Sequence, residues 1–240
     1  MLSREKFELI KNEYGHYASW AVWAGGNGKP KDNVGEMDIL NPDINSSLLQ
    51  SLNPNVVIVG LNISGRIKTS LANFHSPDSR SMDFKMRFAF KETPLWGAYM
   101  TDIIKDFEQK VSGKVMTFLS ANKEFEKANI DTFRKELSDL DSKSPKLISC
   151  GGAVHSILKR NFKDEFQIYK QLPRNKILYD SDLGRAWDNP DENLKKVDTV
   201  FSATDNGANW VSEKSLRSLM RHLLALLVFI RTLKDPSSEA

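Results

Sequence analysis

In the stretch NVVIVGLNISGR, Asn55 to Arg66, the segment NVVIVGLN, Asn55 to Asn62, carries the strongest strand signal in the chain. Its first half is β-branched and apolar at consecutive positions, with Pro54 before it and Gly60 closing it. A run that is apolar on both faces suits a central parallel strand covered by helices. Three further strands follow from the same pattern: GAYMTDIIK (Gly97 to Lys105), KLISC (Lys146 to Cys150) and VDTVFSAT (Val197 to Thr204). EFQIYK and NKILY fit short edge strands.

Helical spacing separates these strands. Phe125, Ala128, Phe133, Leu137 and Leu140 mark an amphipathic helix over Asn122 to Leu140. GGAVHSILKRNF places Val154, Ile157 and Leu158 on one helical face. A last helix starts near Ser212, with a core stripe running from Leu216 to Leu227. The aromatic segment HYASWAVW reads as core, through Tyr17, Trp20 and Trp23. Strands alternating with helices imply right-handed crossovers, a parallel sheet and a ligand site beyond the carboxyl ends of the strands.

Composition bounds the function. The chain has 240 residues, 40% of them hydrophobic and 27% charged, which is globular and excludes a collagen-like or disordered class. The 34 basic and 31 acidic residues leave a net charge of +3, which permits a nucleic-acid partner without demanding one. The single cysteine, Cys150, forms no internal disulfide and fits a reducing compartment. The N-terminal MLSREKFELIKNEY is too charged for a signal peptide, and the apolar run Leu223 to Ile230 falls short of the roughly 20 residues of a membrane span. The expectation is a cytoplasmic protein with no membrane partner: one α/β domain over residues 1–234 and a flexible tail over 235–240.

The strand exits hold the candidate chemistry. Gly60 allows a tight turn, Gly65 allows close backbone approach, and the Asn62 amide can hold a water or a substrate edge. The same loop, Gly-x-x-x-x-Gly followed by Arg66 and Ile67, is a degraded phosphate-binding loop that lacks the lysine and the metal-holding hydroxyl. Downstream, Phe74 and His75 lie on a loop before Pro77, one able to stack on a flat ring and the other able to donate or titrate. Arg80, Lys85, Arg87 and Lys91 alternate with Phe84, Phe88 and Phe90, as in a helix with its aromatics inside and its charges outside. Asp102 is costly inside an apolar strand unless it is satisfied or aimed into a pocket. Cys150 has no base beside it in sequence, and the four histidines show no paired metal-ligand spacing, so neither a metal nor another cofactor is expected.

VVIVGLNISG, YMTDIIK and LISCGGAVHSIL together resemble motifs of the uracil-DNA glycosylase superfamily over roughly residues 54 to 160. The first motif is most similar to that of the mismatch-specific and single-strand-selective branches. The resemblance implies a three-layer α/β/α fold around a four-stranded parallel sheet, DNA as partner, and cleavage of the bond between a flipped base and its deoxyribose. It implies that Asn62 positions the attacking water. It also implies a base pocket formed by Gly60, Leu61, Phe74, His75 and Asp102, with Ser64, Arg66, Lys68, Thr204, Asn206 and Asn209 contacting the nucleic acid.

Three departures stand out. SATDNGANW, which matches the family's last motif, holds neither histidine nor proline; Ile63 replaces a proline; and Asp102 replaces a base-reading asparagine. An ionised carboxylate only accepts hydrogen bonds, so it suits an amino group, as on cytosine or guanine, better than uracil. The alternatives are a protein of this fold that binds nucleic acid or a nucleotide without cleaving it and, third, a degenerate phosphate-loop hydrolase.

Overall fold

Ser3 starts the first helix, α1 (Arg4–Tyr14), by accepting a hydrogen bond from the Lys6 amide at 3.2 Å. Phe7, Ile10 and Tyr14, one helical stripe, are buried. The computed structural model describes residues 2–26, 32–78, 81, 83–91, 93–105 and 107–170. The expected strand over Val197 to Thr204, the helix from Ser212 and the extent of the domain to residue 234 lie outside the described residues.

The described sheet has five strands: β1 (Ala18–Trp20), β2 (Asn53–Asn62), β3 (Ala98–Ile104), β4 (Lys146–Ser149) and β5 (Ile168–Lys170). Their order is β1-β3-β2-β4-β5. The last four strands run parallel, and β1 pairs antiparallel with β3. Three expected strands are present, and the short segment within EFQIYK forms the edge strand β5. The four-stranded expectation needs correcting, because HYASWAVW is both core and strand. Tyr17, Trp20 and Trp23 are buried, while Ala18 to Trp20 hydrogen-bond to the outer edge of β3.

The described α-helices are α1, the single turn α2 (Leu48–Ser51), α3 (Asp83–Phe90), α4 (Ser112–Ala121), α5 (Lys123–Asp139) and α6 (Gly152–Phe162). The chain steps from β2 to β3 in one direction and from β3 past β2 to β4 in the other. Right-handed crossovers therefore send the two connections to opposite faces of the sheet. On one face lie α5 and α6, with Phe133 and Phe162 edge to face at 5.4 Å. The 63–78 segment and α3 gather on the other. Among the described residues no helix is long and apolar enough to cross a membrane.

The α5 expectation holds within a residue at each end, yet its inner face is more polar than its hydrophobic pattern implies. Ala128 is exposed, whereas Glu126, Asn129 and Glu136 are buried beside Ile130, Phe133 and Leu137. Each buried polar group has a partner, which makes the burial tolerable. Glu136 accepts from Tyr99 Oη at 2.6 Å and from Lys105 Nζ at 2.5 Å, and Lys105 also donates to Thr101 at 2.8 Å. Arg87 corrects the picture of α3 with charges outside. It is buried and donates to the Ala24 carbonyl at 2.6 Å.

Candidate functional site

Strands β2 and β3 leave the sheet side by side, and their connections diverge to opposite faces. Such a switch point opens a crevice beyond the strand ends. A hollow of about 890 Å³ lies there, bordered by Asn62, Phe74, Asp102 and the 63–69 segment. Alternation along the strands sets what points into it. Gly60 is paired with Asp102 and Asn62 with Ile104, so the side chains of Asn62 and Asp102 share one face of the sheet. Tyr99 and Thr101 turn to the opposite face, toward Glu136 and Lys105.

Gly60 is required by close approach. A Cβ there would lie 2.1 Å from Asp102 Oδ1 and 3.2 Å from the tip of the Phe74 ring. Phe74 and Asp102 therefore converge over bare backbone. Leu61, the next residue, faces the other way and packs against the hydrophobic core, so it leaves the expected pocket set.

Asn62 lines the hollow with its amide nitrogen fully engaged. Nδ2 donates to the carbonyls of Ile63 at 2.8 Å, Phe107 at 2.8 Å and Gln109 at 2.9 Å. Three surrounding carbonyls fix which arm of the amide is nitrogen, and they tie the segment after β3 to the end of β2. The arm left for a ligand is the carbonyl oxygen.

Asn73, which sequence reasoning passed over, organises the opposite wall. Its Nδ2 donates to the Tyr17 carbonyl at 2.7 Å and to Asp102 Oδ2 at 2.9 Å, and its Oδ1 accepts from the Phe74 amide at 3.1 Å. The backbone around it is unusual. Leu71 and Phe74 have φ of 63° and 62°, left-handed values that side chains rarely adopt and that cost energy. Trp23 Nε1 holds the Phe74 carbonyl at 3.1 Å. The signal in sequence was the asparagine directly before an aromatic and a histidine.

His75 has a different role from the one expected. It is 1% exposed, with Nδ1 2.9 Å from the Asn73 carbonyl and Nε2 3.0 Å from the Val22 carbonyl, and its ring stacks on Trp23 at 5.1 Å. Burial lowers its pKa below the usual imidazole value, against the pull of the two carbonyls. The ring clasps the 71–76 loop to the segment after β1, and neither nitrogen is left for a ligand.

Asp102 is 3% exposed, and burial raises its pKa to about 6; the Asn73 hydrogen bond and the charge of Lys105 oppose that rise. Oδ2 takes the Asn73 bond, which leaves Oδ1 above Gly60. Cys150 is held as a thiol. Burial, with the nearby Asp102 adding to it, pushes its thiol up to about 12.

The rim carries the charge. Ser64, Arg66, Lys68 and Thr69 are exposed, as is Lys110, which the sequence did not single out. Asp78 and Asp83 also border the hollow, and Asp83 accepts from the Ser76 amide at 2.8 Å. Thr204, Asn206 and Asn209 lie outside the described residues. The 63–69 segment opens no helix, and the next one is α3 at Asp83. A phosphate-binding loop works through the helix N-terminus that follows it, so the degraded-loop reading loses its physical basis. Among the described residues no group of three or more His, Cys, Asp or Glu is placed to hold a metal ion.

The built site is therefore a slot. It has a phenyl wall, a carboxylate oxygen on a buried residue, an amide oxygen on a half-buried one and exposed cations at its rim. Comparison with family models, curated proteins and solved structures finds no match to this chain.

Proposed function

We propose that the protein is a DNA glycosylase-like hydrolase. It would take a base flipped out of the stack into the slot and hydrolyse its bond to deoxyribose. The observation that carries the reading is the convergence of Asn62, Phe74 and Asp102 on one hollow at the exits of the two central parallel strands. The mostly parallel sheet, with chain on both faces, is consistent with the three-layer uracil-DNA glycosylase-like architecture that the sequence resembles.

In this reading Phe74 stacks on the extruded base, repaying part of the few kcal/mol that extrusion costs. Asp102 reads the edge of the base. The Asn62 carbonyl oxygen accepts a hydrogen bond from the attacking water and holds it on the far side of the sugar. The water oxygen bonds to C1′, the bond from C1′ to the base nitrogen breaks with its electron pair leaving on the base, and the proton released by the water is passed to the base. Arg66, Lys68 and Lys110 contact the phosphates at the rim.

One feature favours a second reading, a binder of nucleic acid that does not cleave. Both His75 nitrogens are committed to carbonyls, so no described histidine stands ready to neutralise the departing base.

The test is to incubate the full chain with single- and double-stranded oligonucleotides carrying uracil, a G·T mismatch, or deaminated or alkylated bases, and to assay for abasic sites. Product that disappears in Asn62→Ala supports hydrolysis. Salt-sensitive binding without product on any substrate supports the second reading. Absence of both, or magnesium-dependent nucleotide hydrolysis, overturns the proposal.

A further inference from the structure

We infer that the slot selects a flat heterocycle bearing an exocyclic amino group, such as cytosine or adenine, over uracil or thymine. The inference rests on the base-pocket reading above and assigns its substrate class.

Three side chains of the lining are buried: Ile63, His75 and Asp102. The hydrogen-bonding capacity of the buried end can therefore be counted. His75 offers nothing, because each ring nitrogen faces a carbonyl within 3.0 Å. Asn73 offers no N–H either. Its amide hydrogens go to Tyr17 and Asp102, and its oxygen holds the Phe74 amide. The Phe74 and His75 amides are taken by Asn73 Oδ1 and the Ala72 carbonyl, and the Ser76 amide by Asp83. What remains is an acceptor, Asp102 Oδ1 over Gly60. Asn62 adds a second acceptor, since its nitrogen is spent on three carbonyls. The side-chain donors left in the lining are those of Ser64, Arg66, Lys68, Thr69 and Lys110, on exposed residues, and the hydroxyls of the half-buried Ser76 and Ser81, whose oxygens accept from the Asp78 and Asp83 amides; none is on a buried residue.

An end that only accepts is matched by a ligand that donates. An amino group projects ahead of its ring and reaches Oδ1 without bringing a ring carbonyl against it. The N3–H of uracil or thymine is flanked on both sides by carbonyls, so approaching Oδ1 sets oxygen against oxygen in a buried place, where unmatched polar groups are most costly. The order is set geometrically: Asn73 fixes one carboxylate oxygen, and Gly60 and Phe74 leave the other as the end of the slot.

The experiment measures binding of the full chain to single-stranded pentamers with one central base between abasic spacers. The central sugar carries a 2′-fluoro group that disfavours cleavage. Cytosine and adenine pentamers are expected to bind about tenfold or more tighter than uracil and thymine ones at neutral pH. In Asp102→Asn, whose oxygen keeps the Asn73 bond and whose N–H groups then face the slot, the uracil pentamer gains through its carbonyls and the order narrows or reverses. Equal binding of the four, or preference for uracil or thymine in the wild-type chain, overturns the inference while leaving a base pocket standing. Binding no tighter than that of an all-abasic pentamer overturns the base-pocket reading as well. The wild-type series decides on its own, whatever the fate of the variant.

Discussion

Asp102→Asn should make the protein more resistant to unfolding at neutral pH, and the gain should depend on pH in a defined way. In the folded chain the Asp102 carboxyl titrates near pH 6, against an ordinary value of 3.8, because it is buried. A folded-state pKa above the unfolded one means that the folded state holds its proton more tightly. The stabilisation is then fully present below pH 3.8 and is lost as pH rises through 6. The shift of roughly two units corresponds to about 3 kcal/mol held against the fold once Asp102 is ionised. Asparagine keeps the acceptor that Asn73 needs and never ionises. The difference in unfolding free energy, variant minus wild type, should therefore grow by up to about 3 kcal/mol between pH 4 and pH 7.5, most steeply around pH 5. Urea denaturation of both chains across that range measures it, and the other carboxylates cancel in the difference. A difference that stays flat with pH, or that falls as pH rises, would refute the reasoning. It would mean that Asp102 is better solvated or better paired than a single bond from Asn73 provides, and the acceptor-only end of the slot would go with it.

Other substitutions probe the remaining parts. Gly60→Ala places a methyl on Asp102 Oδ1 and should cost about 1–3 kcal/mol in denaturant melts, with loss of oligonucleotide binding; an unperturbed variant would show that the floor of the slot is looser than described. Phe74→Ala and Phe74→Gly both remove the ring, but only glycine relieves the left-handed backbone at φ of 62°. The glycine variant should therefore be the more stable by about 1 kcal/mol, while both lose about 1–3 kcal/mol of stacking in binding titrations. Lys105→Met leaves Glu136, which is fully buried, without its cation and should cost about 3–5 kcal/mol. Adding Glu136→Leu should restore part of that loss, and failure to do so in thermal melts would show that the pair is not coupled.

Several features of the molecule were decided by residues close together in sequence. The β-branched run of Val56 to Val59, the apolar run of Tyr99 to Ile104 and the stripe on α6 read correctly because periodicity is local, and each element's hydrophobic face is written into it. Asn62 and Asp102 were legible for a related reason: a polar side chain at the end of an apolar strand, or inside one, demands an explanation within the strand itself. What local reading could not supply is the partner. Asn73 meets Asp102 across 29 residues, Lys105 meets Glu136 across 31 and His75 meets Val22 across 53. Arg87 therefore looked solvated and is buried, His75 looked available and is clasped, and a core-like aromatic segment turned out to form an antiparallel edge of the described sheet. A side chain's type sets how many hydrogen bonds it can make. Which of them are already spent, and so what is left for a ligand, is settled only when the crossovers bring the two central strand ends and the 71–76 loop together.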